Sequence, residues 1–226
     1  MSGGPKIVAV AGNMGAGKSS LVEWLRQRFG MVPFFEPNAE NPYLADFYKD
    51  MGRWGMSSQL FFLVRRFQIH RSIAERAAIE ERAAGVVEAG RGAAPRGPGL
   101  VQDRTLYEDA EVFAAHLHRA GHIDDRDWAT YQMLYQTLRD EIRPPDLMIY
   151  LRCPLKTLAA RIRRRGRDFE RAIPRSYLKS LDALYEEWFA RYDLSPRLVV
   201  ETDRLDYVER LFDRLELEEA IRAQLG

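Results

Sequence analysis

Residues 6–19 read Lys6-Ile7-Val8-Ala9-Val10-Ala11-Gly12-Asn13-Met14-Gly15-Ala16-Gly17-Lys18-Ser19. The first part is a continuous apolar run bounded by glycine, the pattern of a short buried strand. The second part matches G-x-x-x-x-G-K-[ST]. A helical pattern follows, with Leu21, Leu25 and Phe29 on one face. Strand, glycine turn and helix let backbone N–H groups converge on phosphate oxygens, and the helix N-terminus adds a partial positive charge. Gly12, Asn13, Met14, Gly15, Ala16, Gly17, Lys18, Ser19 and Ser20 are therefore expected to hold the phosphates of a nucleotide such as ATP. Lys18 would reach the β- and γ-phosphates, and Ser19 would ligate Mg²⁺. A GTPase, an ATPase motor and a small-molecule kinase all begin this way, so the choice lies elsewhere in the chain.

Further strands are expected over Met31–Glu36, Leu100–Asp103, Asp146–Arg152 and Arg197–Glu201. Between and after them lie helical patterns over 43–50, 56–82, 106–120, 124–142, 154–165, 175–192 and 207–225. Strands alternating with helices predict a parallel sheet covered on both faces. The expected fold is α/β: a P-loop NTPase-like, three-layer arrangement with five parallel strands. A length of 226 residues suits one domain. Residues 85–99, rich in Gly, Pro and Ala, read as a surface loop.

Bulk charge excludes some partners. Lys plus Arg total 34 against 33 for Asp plus Glu, a net charge of +1. That balance gives no general attraction to a nucleic-acid polymer or an anionic membrane. No apolar run approaches the ~20 residues that span a bilayer, and no signal-type segment opens the chain. Cys153 is the one cysteine, so an internal disulfide is impossible and a cytoplasmic protein is expected.

Ligands of an open parallel sheet sit outside the carboxyl ends of its strands. Glu36 ends the second expected strand, where a carboxylate can orient a hydroxyl and accept its proton. Read alone, it is equally a surface Glu before a proline. Asp103 and Arg104 end the third strand at the same edge; the alternative there is a solvent-facing ion pair. Arg161, Arg165 and Arg167 belong to an arginine cluster followed or interrupted by Gly166, and an arginine-rich lid over about 161–172 would stabilise charge on a transferring phosphoryl group. A solvated helix face, a nucleic-acid patch or a localisation signal would also use such a cluster, and the near-neutral total charge argues against the second.

Taken together, several motifs resemble the deoxynucleoside kinase family, especially its bacterial deoxyadenosine/deoxyguanosine members. They are the phosphate loop, Phe35-Glu36-Pro37, Asn41-Pro42-Tyr43, Tyr48-Lys49-Asp50, Trp54–Gln59, Gln102–Asp109, Arg161–Glu170, Ile173-Pro174 and Tyr177-Leu178. The likeness runs from about Ile7 to Glu201. It implies Glu36 as general base with Arg104 assisting, and Lys18 on the phosphates. Tyr48 and Glu170 resemble the pair that holds the sugar 3′-hydroxyl, Gln59 the amide that reads the base edge, and Phe113 the ring that stacks on the base. Arg161, Arg165 and Arg167 resemble the lid arginines. Ser19 and Asp103 resemble the Mg²⁺ shell, although the family often has Glu at the second position. Arg66 and Asp109 resemble the charged pair of members that take purines or deoxycytidine, so deoxyadenosine or deoxyguanosine is expected first and thymidine last. A homodimer through long helices is implied as well.

Two rival readings remain. A nucleoside-monophosphate kinase would need cations where Pro33-Phe34-Phe35-Glu36-Pro37 offers a base. A non-catalytic nucleotide-binding regulator would need no sugar clamp. His116, His118 and His122 lack a ligand-spaced partner for a metal site. Trp54 and Trp188 are expected in the core, and Cys153 reads as structural.

Overall fold

The computed structural model describes residues 4–35, 40–88, 99–167, 170, 173–203 and 211–225, without the side chains of 84–88 and 211. Five strands form one sheet: β1 (Ile7–Gly12), β2 (Val32–Phe34), β3 (Leu100–Asp103), β4 (Leu147–Arg152) and β5 (Arg197–Glu201). Their spatial order is β2-β3-β1-β4-β5, and every pairing is parallel. The five-stranded parallel sheet expected from the alternation is present.

Alternation along the strands builds the three layers. Val8 and Val10 of β1, Val101 of β3 and Leu147, Ile149 and Leu151 of β4 point to one face. There they meet Leu21, Val22 and Leu25 of α1 (Lys18–Phe29) and Leu217 and Ile221 of α9 (Leu211–Leu225). Ala9 and Ala11, with Met148 and Tyr150, face the other way. They pack against α3 (Met51–Glu88), α6 (Asp125–Asp140) and α8 (Arg175–Arg191), whose Trp188 and Tyr185 are fully buried. Alanines on the central strand leave room there for large aromatic side chains. Burying one such ring contributes roughly 2–3 kcal/mol. The shorter helices are α2 (Leu44–Phe47), α4 (Leu106–Glu108), α5 (Ala115–Arg119) and α7 (Leu155–Arg165).

Some boundaries differ from the sequence expectation. The long helix starts at Met51 and continues to Glu88, so the glycine-rich surface loop expected from 85 does not begin there. An isolated helical glycine costs only ~1 kcal/mol relative to alanine, which flanking turns can offset. Residues 89–98 of that stretch lie outside the described residues. Strand two is shorter, and the helix expected over 106–120 is not uniform. Between α4 and α5 the chain makes a π-helical turn over Asp109–Ala114. One turn of π-helix inserts a residue and re-aims the side chains on it, a device frequent at functional sites. Trp188 is core as expected, whereas Trp54 is half-buried and stacks on Tyr43 at 5.8 Å.

Candidate active site

The phosphate loop joins β1 to α1 and is closed against its neighbours. Gly12 and Gly15 adopt φ of 148° and 79°. A Cβ on Gly12 would lie 3.0 Å from the Leu151 carbonyl oxygen, and one on Gly15 would lie 3.0 Å from Ile162 Cγ1. Only glycine fits those turns, which press the loop onto β4 and α7. Three side chains then fix the loop backbone. Gly12 N–H donates to Glu108 Oε2 at 3.1 Å, Asn13 Nδ2 donates to the Leu178 carbonyl at 3.1 Å, and Arg161 Nη1 donates to the Ala16 carbonyl at 3.1 Å. Lys18 is buried and its Nζ donates to the carbonyls of Gly12 and Asn13 at 2.9 and 3.2 Å. Met14 N–H donates to Asn13 Oδ1, while Gly17 caps α1 and Ser20 is exposed in its first turn.

Ser19 meets the end of β3. Its hydroxyl donates to Asp103 Oδ2 at 2.7 Å. Asp103 is buried, and its Oδ1 has no hydrogen-bond partner among the described residues. A carboxylate oxygen held out of water with no donor is a costly arrangement unless a cation occupies it. A hydroxyl and a carboxylate are hard oxygen donors, so the pair fits Mg²⁺.

Arg104 directly follows β3. Its φ of 66° is the one positive value at a non-glycine among the described residues, and its N–H donates to the Val10 carbonyl at 2.9 Å. Its guanidinium lies 4.4 Å above the Phe113 ring and donates to the Tyr185 hydroxyl at 2.9 Å. Arg66 Nε pairs with Asp109 Oδ2 at 2.9 Å with both side chains buried, and Arg66 Nη1 also reaches the Asp103 carbonyl at 3.4 Å. Gln59 lies seven residues before Arg66 on α3, hence on the same helix face. It too is buried, and its Oε1 has no partner among the described residues. The π turn carries both Asp109 and Phe113. Arg66, Asp109, Arg104 and Phe113 thus form one neighbourhood beyond the end of β3, with Gln59 two turns along α3 on the face that carries Arg66.

The residues expected at the lid and the sugar are arranged differently from one another. Arg161 ties the phosphate loop to the end of β5, for its Nη2 and Nη1 also donate to Thr202 O at 2.8 Å and Thr202 Oγ1 at 3.1 Å. Arg165 grips the buried Glu170 carboxylate at 3.0 and 2.5 Å, and Arg167 stands 3.7 Å from it. Tyr48 directs its hydroxyl to Met14 Sδ at 3.5 Å. Glu36 and lid residues 168, 169, 171 and 172 lie outside the described residues.

Sequence reading missed Glu108, Tyr185 and His70. Glu108 is fully buried and also accepts from Thr105 N–H at 3.0 Å and the Tyr185 hydroxyl at 2.9 Å. Burial pushes its carboxyl above the usual range, while Arg104, Lys18 and the backbone donors pull the other way. His70, beside Gln102 and the Leu106 N–H, is pushed down to about 3 by burial and by the nearby Arg66 charge. A Thr105–Glu108 capping-box spacing was the one signal in the sequence, and it speaks of a helix start rather than a site. Of the other histidines, His118 stacks on Trp128 and bonds Asp125, and His116 packs on Tyr177. Buried Cys153 lies 3.6 Å from Arg161 Nη1.

A phosphate loop between the first strand and first helix of a parallel sheet, with buried polar side chains at the end of the neighbouring strand, defines a P-loop nucleotide-binding protein. The family model for deoxynucleoside kinase matches residues 8–224, and the chain belongs to that family. It is 33% identical over 202 residues to the deoxyadenosine/deoxycytidine kinase of Bacillus subtilis, covering 88% of this chain and 84% of that one. It is 29% identical over 228 residues to a deoxyguanosine kinase of Lactobacillus johnsonii, covering 97% and 92%. A solved deoxyadenosine kinase from M. mycoides with bound dCTP superposes with a TM-score of 0.75 at 28% identity, covering 96% of this chain and 99% of that one. The family expected from the motifs, and with it the kinase activity, stands. No described helix is long and apolar enough to cross a membrane.

Proposed function

We propose that this kinase transfers the γ-phosphate of ATP to the 5′-hydroxyl of a purine deoxynucleoside, deoxyadenosine or deoxyguanosine, giving the monophosphate for nucleotide salvage. The observation that carries the base assignment is the buried Arg66–Asp109 pair on the helix face that also carries Gln59, whose Oε1 has no hydrogen-bond partner among the described residues. A fixed donor, a fixed acceptor and an amide match the polar edge of a purine, and they leave little room for a thymine methyl. Relatives named for deoxyadenosine, deoxycytidine and deoxyguanosine support this reading.

ATP sits on residues 12–20 with Lys18 at its outer phosphates and Arg161, Arg165 and Arg167 on the lid side. Glu36 orients and deprotonates the 5′-hydroxyl, and Arg104 steadies the reacting oxygens. Tyr48 and Glu170 hold the 3′-hydroxyl, while Phe113 stacks on the base. Ser19 and Asp103 hold Mg²⁺, which neutralises charge on the phosphates when bound. Exposed Val64 and Ile79 on α3 and Met133 on α6 favour a homodimer through those helices. The lone cysteine suits the cytoplasm.

The test is initial-rate phosphorylation with ATP–Mg²⁺ against deoxyadenosine, deoxyguanosine, deoxycytidine, thymidine and thymidylate. Highest kcat/KM on a purine deoxynucleoside is expected. A preference for thymidine would discard the base assignment, and turnover on thymidylate alone would discard the hydroxyl acceptor.

A further inference from the structure

Glu108 has no part in the roles above, yet it lies between the two halves of the site. One carboxylate oxygen does what a helix cap requires: Oε1 accepts the Thr105 N–H at 3.0 Å. The other does something a cap does not need. Oε2 accepts the first glycine of the phosphate loop, Gly12 N–H, at 3.1 Å, and the Tyr185 hydroxyl at 2.9 Å. That same hydroxyl accepts Arg104 Nη1 at 2.9 Å. A continuous buried path therefore runs from Gly12 through Glu108 and Tyr185 to Arg104, drawing on β1, α4, α8 and the end of β3.

Both ends of the path are backbone positions that need holding. Gly12 is at φ 148° and Arg104 at φ 66°, and neither conformation is a default of the chain. Arg104 also carries a long side chain whose freedom must be removed before it can serve one reacting oxygen. The ring of Tyr185 is itself locked, stacked on Tyr150 at 5.8 Å and edge-on to Phe113 at 6.1 Å. Its hydroxyl is thus presented to Arg104 and Glu108 by a rigid support.

We propose that Glu108 and Tyr185 are positioning residues for phosphoryl transfer, a buried relay that sets the phosphate loop and the Arg104 guanidinium at a fixed separation. The proposal rests on the assignment of Arg104 to the acceptor side. In-line transfer is sensitive to placement, and a shift of ~1 Å can cost ~10²-fold in rate. Loss of the relay should therefore act on kcat more than on binding.

Three variants test it: Tyr185→Phe, Glu108→Gln and the double variant, with Arg104→Gln alongside and thermal melting to normalise folded protein. Tyr185→Phe keeps the ring and removes only the hydroxyl. It should lower kcat at least ~10-fold with both KM values within about twofold, a split that a purely structural defect does not give. Glu108→Gln should lower kcat by no more than Tyr185→Phe: with its NH₂ turned to Gly12 N–H the path is cut, whereas with its NH₂ turned to Thr105 N–H the amide oxygen still accepts Gly12 N–H and the Tyr185 hydroxyl. The double variant should be no more than about twofold worse than the poorer single one, since both cut one path. Near-parental kcat in Tyr185→Phe, or fully additive losses, with Arg104→Gln inactive, would overturn the relay and leave Arg104 in place. An active Arg104→Gln would instead remove the acceptor-side assignment, and the relay with it.

Discussion

The Ser19 hydroxyl donates to Asp103 Oδ2 at 2.7 Å across 84 positions of sequence. The contact joins the first turn of α1 to the end of β3, and the second Asp103 oxygen is buried with no donor among the described residues. If the pair holds Mg²⁺, Asp103→Asn keeps shape while removing charge. The expected result is a fall in kcat of roughly 10–10²-fold, within the several kcal/mol a bound metal supplies, together with a higher Mg²⁺ concentration for half-maximal rate. A Mg²⁺ titration of both proteins checks this, and an unchanged Mg²⁺ requirement would sink the assignment.

Glycine spacing and a short apolar run define the loop and β1, because both depend on residues adjacent in sequence. Asp103 and Arg104 were visible as the charged end of a strand. Glu108 was not, for it reads as an ordinary acidic residue in a helix start, and its burial depends on Tyr185, 77 positions away. The π turn was equally hidden, since Asp109 and Phe113 are spaced alike in an α-helix and in one turn of π-helix. Nor does alternation of strands and helices state the order β2-β3-β1-β4-β5, which is set by packing of the two apolar faces. The run to Glu88 was obscured by Gly85, whose small propensity penalty does not end a helix already 34 residues along.

The buried Arg66–Asp109 pair makes a prediction in two stages. Removing one partner leaves an uncompensated buried charge, which typically costs ~3–5 kcal/mol. Arg66→Leu and Asp109→Ala alone should therefore unfold at markedly lower denaturant. The double replacement should recover much of that stability, and its kcat/KM should shift toward thymidine relative to deoxyadenosine by at least ~10-fold. Urea unfolding and competing-substrate assays measure the two effects; unchanged substrate ranking in the stable double variant would mean the pair is structural only.

Glu36 carries the general-base assignment from the family resemblance. Glu36→Gln keeps size and removes basicity. Its kcat should drop at least ~10²-fold, the usual scale for a positioned base, with ATP affinity within about twofold. Near-normal turnover in that variant would exclude Glu36 as the base.

His70 gives a pH prediction. Its pKa is lowered from 6.5 to about 3, chiefly by burial with Arg66 adding to it. Below 6.5 the unfolded chain takes up a proton that the folded chain refuses. The contribution is thus fully present above 6.5 and is lost as pH falls toward 3, at up to roughly 1.4 kcal/mol per pH unit. His70→Gln should flatten the acid limb of stability against pH relative to the parent. Equal slopes for both proteins between pH 6 and 4.5 would contradict a neutral buried histidine.

Arg161 and Arg165 share a helix and an expected lid role, yet their contacts separate them. Arg161 donates to Ala16 O and to Thr202, so it holds the phosphate loop against the end of β5. Arg165 is paired with Glu170. Losing Arg161 strips donors from part-buried carbonyls, a cost of ~1–3 kcal/mol. Arg161→Gln should therefore lower the melting temperature by several degrees and raise the KM for ATP, while the deoxynucleoside KM changes little. Arg165→Gln strips the two-bond partner from the buried Glu170 carboxylate and leaves Arg167, 3.7 Å away, as its remaining cation among the described residues. It should lower the melting temperature as well, because a buried carboxylate loses its partner, but its kinetic signature should differ from that of Arg161→Gln: kcat at least ~10-fold lower and the deoxynucleoside KM altered through Glu170, with the ATP KM little changed. Melting curves and two-substrate kinetics on the pair decide the matter. Matching profiles would mean that both arginines act on the lid, and that the bonds of Arg161 to Ala16 and Thr202 carry no separate function.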